Sequence, residues 1–76
     1  MKTMSKYEVV MLKDVEETCN LRRDFGDSWY DLAVYVENII SMQERHYNRS
    51  TEFIKNLQNM KENYMNKCVE ENNIIE

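Results

Sequence analysis

Apolar residues recur along this chain at helical spacing, and they are densest in residues 29–40, which are mostly Trp, Tyr, Leu, Ala, Val and Ile. Intervals of three and four residues between apolar positions predict amphipathic helices. From residue 29 the pattern also repeats every seven residues, as far as Cys68. The chain has one glycine and no proline, so little in it interrupts a helix. We therefore predict an all-α fold in a single small domain of residues 1–76.

The first predicted helix spans residues 6–24. Ser5 and Glu8 stand at capping-box spacing, in which the serine hydroxyl accepts from the glutamate amide and the carboxylate accepts from the serine amide. Gly26 follows the helix and can take the left-handed conformation that ends it. The residues expected on the packed face are Met4, Tyr7, Met11, Val15, Thr18, Cys19 and Phe25.

The second helix is predicted to begin at Trp29. Ser28 can cap it, with Asp31 in the first turn at N3. Because only a few residues join the two helices, they should form an antiparallel hairpin.

The seven-residue pattern keeps its phase through residues 46–51, which contain neither Gly nor Pro. We therefore favour one unbroken second helix over residues 29–69. A break near residues 48–50 is the alternative: it would close the same contacts within one chain, as a monomeric three-helix bundle related to a dimer by domain swapping. Residues 70–76 place acidic groups at a helix C-terminus, which the helix dipole disfavours, so we expect this tail to fray.

An unbroken second helix would leave much apolar surface bare. At 1.5 Å per residue it is about 60 Å long, whereas the first helix is about 29 Å long and cannot cover it. An exposed stripe of this size favours a partner, so we predict an antiparallel homodimer with a coiled-coil-like seam. Polar residues in such a seam set register and oligomeric state. The predicted seam residues are Gln43, His46, Ser50, Phe53, Leu57, Met60 and Tyr64.

Charge and composition narrow the classes of partner. The 76 residues include 14 acidic and 10 basic side chains, for a net charge of −4. Basic clusters at residues 22–23 and 45–49 stand among acidic residues, so no basic face for nucleic acid is predicted. Charges at Asp31 and Glu37 interrupt the apolar run, so we expect no membrane span. Without a secretion signal we expect a cytoplasmic protein, and the Asn-rich, Ala-poor composition is typical of an AT-rich genome such as that of a phage.

Motifs that carry chemistry are missing from the sequence. His46 is the single histidine, and Cys19 and Cys68 form no CxxC pair, so we predict neither a metal site nor a disulfide framework. There is no glycine-rich phosphate loop and no supported catalytic pair. We therefore expect no cofactor and no enzymatic activity.

Surplus apolar side chains on the second helix are the best functional signal. Its main stripe faces the core, whereas Tyr30, Val34 and Tyr35 point elsewhere. Tyrosine is enriched in binding hot spots. We predict a non-enzymatic protein-binding module, such as a small adaptor, a chaperone-like subunit or a phage-type inhibitor of a host protein, with these three residues at its partner surface. A small helical dimeric regulator that binds nucleic acid is the alternative.

Overall fold

Three helices make up the fold in a computed structural model, which describes residues 3–46 and 48–74, apart from the side chains of His46 and residues 72–74. They are α1 (Lys6–Asp24), α2 (Trp29–His46) and α3 (Thr51–Ile74). The described residues contain no strand, which confirms the all-α prediction. Glu8 of α1 contacts Ser50 at one end of the molecule, and Arg23 contacts Glu71 at the other. Helices α1 and α3 therefore run parallel, with α2 antiparallel to both.

Both ends of α1 follow from its sequence. The Glu8 amide donates to the Ser5 Oγ at 3.2 Å, and the Ser5 amide donates to the Glu8 Oε1 at 2.9 Å, as the predicted capping box requires. At the other end the Gly26 amide donates to the Arg23 carbonyl and the Asp27 amide to the Arg22 carbonyl, the paired bonds of a Schellman motif. Gly26 has a φ of 105°, which a side chain would strain.

Helix α2 begins where the sequence predicts. The Asp31 amide donates to the Ser28 Oγ at 3.1 Å, and the Ser28 amide donates to the Asp31 Oδ2 at 3.3 Å. These reciprocal bonds form a second capping box. Trp29 is the first helical residue because Ser28 caps the helix at the position before it.

The unbroken helix over residues 29–69 is wrong, because α2 ends at His46 and α3 begins at Thr51. Ser50 is the cause: its hydroxyl accepts from the Phe53 amide at 3.1 Å, so it caps a new helix. The chain thus turns without glycine or proline, and the three-helix alternative is the architecture found. Helix α3 then continues to Ile74, past the predicted end at residue 69, and residues 75–76 lie outside the described part.

One apolar core joins the three helices. The backbones of α2 and α3 lie closest together, and α1 packs against this pair. Partly buried residues such as Met4, Trp29 and Met60 surround the core. Its buried apolar members are Val15, Cys19, Leu32, Ala33, Val36, Ile40, Phe53, Leu57 and Tyr64.

The outer face of α1 departs from the sequence prediction. Tyr7 and Phe25 were expected on its packed face, but their exposed fractions are 78% and 88%. Val15 and Cys19, between them in sequence, are buried as expected. The helix therefore meets its neighbours along a narrow strip whose buried residues are Glu8, Val15 and Cys19, and Phe25 belongs to the cap rather than to the helix. No helix in the described residues is long and apolar enough to cross a membrane.

Candidate protein-binding surface

The predicted partner surface lies on the outside of α2. Tyr30 and Val34 are one helical turn apart, with exposed fractions of 56% and 40%. Tyr35 is half-buried and packs against the core. The Arg22 guanidinium of α1 lies over its ring, 4.5 Å from the centroid. Internal packing therefore uses Tyr35, contrary to the expectation that all three residues point away from it.

A shallow cleft between α1 and α2 brings these three residues together. Its charged groups are engaged: Arg22 Nε donates to Asp27 Oδ2 at 2.7 Å, and Asp31 accepts from the Ser28 amide. Engaged charges leave the exposed ring of Tyr30 and the Val34 side chain as the groups available to a partner. The residues that line the cleft are Arg22, Asp27, Tyr30, Asp31, Val34, Tyr35 and Asn38.

Further apolar side chains are exposed on α1, and sequence reasoning did not assign them to a partner. Val10 and Leu21 are 57% and 58% exposed, on the same side of the helix as Tyr7. Leu21 and Phe25 stand at the end where the chain turns into α2, the same end as Tyr30. In the sequence Val10 and Leu21 form a shoulder beside the predicted packed face, a position that is typical of a helix with more than one neighbour.

The predicted seam is buried within one chain. Phe53 and Leu57 are fully buried, and Tyr64 is 9% exposed. Met60 is half-buried at the edge of the core, and the side chain of His46 lies outside the described part. The apolar members of the seam therefore have intramolecular partners.

Two polar members of the seam have roles other than the predicted layer. Gln43 is 6% exposed, and its Oε1 accepts from Arg49 Nε at 2.7 Å. Ser50 caps α3 and is 3% exposed. Both residues therefore shape the connection between α2 and α3. That connection borders an open cleft of about 600 Å³, lined by residues that include Glu44, Asn48 and Gln58.

A buried carboxylate at the base of the bundle is the main site that sequence reasoning missed. Glu8 is 4% exposed, and the sequence predicts for it only the capping-box role with Ser5. Its Oε2 accepts from the Ser50 amide at 2.9 Å and its Oε1 from the Ser50 hydroxyl at 3.0 Å. These bonds, with the Ser5 amide bond and the nearby Arg49 charge, hold the pKa of Glu8 below its ordinary value of 4.5, although burial opposes them. The capping box was readable from local spacing, but Ser50 is too distant in sequence to be found that way.

The other buried reactive group is the thiol of Cys19. It is fully buried in the core that also holds Tyr64. Burial raises the pKa of the Cys19 thiol and also the pKa of the Tyr64 hydroxyl, because each charged form would lose its hydration. A thiol in this state is a poor nucleophile, so the pair has a packing role. Within the described residues, no three His, Cys, Asp or Glu side chains are placed to hold a metal ion together.

Comparison with known proteins gives no relative for this chain. No protein-family model matches it, and neither the curated proteins nor the solved structures include a match. Function is therefore inferred from the exposed and buried groups of the chain itself.

Proposed function

We propose that this protein is a non-enzymatic protein-binding module that engages its partner through the α1–α2 cleft. The observation that carries the proposal is the pair Tyr30 and Val34, exposed side by side on α2 next to the half-buried Tyr35. A tyrosine on a rigid helix offers a large contact area at a small cost in side-chain entropy. Adaptor, chaperone-like subunit and phage-type inhibitor of a host protein are the roles that fit such a surface.

The pairing of Arg22 with Asp27 in the cleft supports a largely apolar contact with the partner. Arg22 is held between Asp27 and the Tyr35 ring, so it fixes the floor of the cleft. The partner therefore need not neutralise an unpaired charge there, which would oppose association. Aromatic and aliphatic side chains on the partner suit this surface.

Affinity capture from lysate of the source cells, with quantitative mass spectrometry, tests the proposal. Tyr30→Ser combined with Val34→Ser should lower the amount of the specific partner recovered at least tenfold, because the double substitution removes the exposed apolar pair. Tyr7→Ser combined with Val10→Ser is the matched control, since it removes the same two residue types at more exposed positions on α1. Recovery of the same partners by the Tyr30 and Val34 variant would place the binding surface elsewhere.

The alternative function, nucleic-acid binding, has less support. Arg22 pairs with Asp27, and Arg23 lies over the Trp29 ring while contacting Glu71. Basic side chains engaged in this way present a weak field to a phosphate backbone. A gel shift with duplex and single-stranded probes at low salt tests this alternative, which would be supported by binding that weakens steeply as salt is added.

Self-association also belongs among the proposals. The predicted dimer would join α2 and α3 into one helix and exchange α3 between two copies, with the seam supercoiled between them. Such an exchange would bury between two copies the apolar residues that the bundle buries within one chain. Because the cap at Ser50 already closes the bundle within one chain, we propose that the monomer predominates and that the swapped dimer is a minor form. Light scattering checks this: a mass near 9.3 kDa supports the monomer, and twice that mass supports the dimer.

A further inference from the structure

Helix α1 contributes little to the apolar core. Four of the largest fully buried side chains, Phe53, Leu32, Leu57 and Val36, belong to α2 and α3, and only Cys19 belongs to α1. The backbones of α2 and α3 also lie closer to one another than to α1. The largest buried apolar side chains and the closest helix pair therefore belong to the α2–α3 hairpin, on which α1 is docked.

The two ends of α1 are held in different ways. At the C-terminal end the turn at Gly26 joins α1 covalently to α2, and the Arg23 guanidinium lies 4.3 Å from the centroid of the Trp29 ring. At the N-terminal end the chain is not joined to α3, and the Glu8 carboxylate accepts both hydrogen bonds that Ser50 offers it. Met4, Met11 and Leu12 also pack against the core at this end, so the Glu8–Ser50 hydrogen bonds add a polar contact to an apolar one.

That polar contact is cooperative. A buried carboxylate is tolerated only while its hydrogen bonds are made, so movement of α1 away from α3 breaks both bonds to Ser50 together and returns Glu8 to water. The Ser50 hydroxyl also accepts from the Phe53 amide, so the same residue starts α3. The contact between Glu8 and Ser50 therefore forms only when α1 is docked on the first turn of α3.

We propose that α1 is a releasable arm, which pivots as one helix about the turn at Gly26 and is held closed by the hydrogen bonds between Glu8 and Ser50. Opening exposes the Cys19 thiol and uncovers the side of the hairpin on which Tyr64 lies. The hairpin keeps its own core during this motion. Release of α1 does not depend on the protein-binding surface proposed above.

Thiol labelling under native conditions tests the arm. In a Cys68→Ser background Cys19 is the only thiol, and it reacts only from states in which α1 has left the hairpin. Glu8→Gln keeps the shape of the side chain but removes its charge. It should therefore raise the labelling rate of Cys19 roughly tenfold, because charge-assisted hydrogen bonds are the stronger ones. Glu17→Gln, an exposed change on the same helix, is the matched control and should leave the rate unchanged.

Amide hydrogen exchange separates arm release from global unfolding. A released α1 is only marginally stable in water, because an isolated helix of this length lacks the packing that sustains it. In the Glu8→Gln variant, amides of α1 should therefore lose protection together with Cys19, whereas amides near Leu32, Val36 and Leu57 keep theirs. Equal loss of protection in all three helices, or a labelling rate equal to that of Glu17→Gln, would overturn the proposal.

The unmodified protein provides a test that does not depend on folding of a variant. Amide exchange is measured at several urea concentrations below those that unfold the protein. Opening of the arm exposes less surface than global unfolding, so its free energy should depend less steeply on urea. Separate curves for α1 and for the α2–α3 hairpin support the arm. A single shared curve for all amides would overturn it.

Discussion

The rings of Trp29 and Tyr64 stack with their centroids 5.9 Å apart and their planes 21° from parallel. This contact joins the first turn of α2 to the far part of α3 within one chain. The Lys67 ammonium lies 5.1 Å from the centroid of the same indole ring, so α3 covers Trp29 with both an aromatic and a cationic group. The contact closes the bundle at the end opposite Glu8 and Ser50.

A double-mutant cycle should show that the stacked pair is energetically coupled. Trp29→Leu and Tyr64→Leu each keep an apolar side chain but remove the ring contact. We expect a coupling energy of about 0.5–1.5 kcal/mol in urea unfolding followed by far-UV circular dichroism. Purely additive effects would mean that the two rings only fill space. Met65→Leu, an exposed position next to Tyr64, is the control and should change stability little.

Truncation of the core should be far more costly than truncation at the surface. Leu57 is fully buried, and Leu57→Ala should lower the free energy of unfolding by about 2–5 kcal/mol, because it removes apolar contacts and leaves a cavity. A small domain has little stability to lose, so this variant should be largely unfolded at 37 °C. Val69→Ala, a 53% exposed change on the same helix, should cost less than about 1 kcal/mol. Similar melting curves for the two variants would contradict the assignment of the core.

Acid should weaken the fold through Glu8. Its pKa is lower in the folded state than its ordinary value of 4.5, so the folded protein binds fewer protons than the unfolded chain as pH falls through that region. The stability contributed by Glu8 is therefore fully present above about pH 5, and it is lost as pH falls through the folded pKa.

Urea unfolding of the wild type and of Glu8→Gln at a series of pH values measures this contribution. The variant should be about 1.5 kcal/mol less stable at neutral pH, and the difference should shrink in acid. Glu17→Gln serves as the control, with the pH dependence of the wild type. A difference between wild type and Glu8→Gln that stays constant with pH would show that ionised Glu8 does not stabilise the fold.

Any side chain at Gly26 should destabilise the turn between α1 and α2. A Cβ atom at this position would have open space around it, but the φ of 105° strains any L-residue. Gly26→Ala should therefore lower the free energy of unfolding by about 1–2 kcal/mol through backbone strain alone. Calorimetry measures the change as a lower melting temperature. An unchanged melting temperature would mean that the turn relaxes to a negative φ at little cost.

Local sequence signals determined most of the secondary structure. The first helix, its capping box at Ser5, its end at Gly26 and the start of the second helix at Trp29 were all predicted correctly, because each depends on residues within one or two turns. The spacing of apolar positions at intervals of three and four residues likewise determined the all-α class. It also determined the burial of Phe53, Leu57 and Tyr64.

Only the tertiary structure decided whether the second helix breaks and what Glu8 does. Heptad spacing is the same for a continuous helix and for a bundle that closes within one chain, so it could not separate them. The choice depends on Ser50, whose cap for α3 is completed by a carboxylate that lies 42 positions away in sequence. Likewise, Tyr35 was assigned to a free surface because the Arg22 side chain that covers it comes from another helix. Sequence periodicity reports which face of a helix is apolar, whereas the partner of that face is set by packing between segments that are distant along the chain.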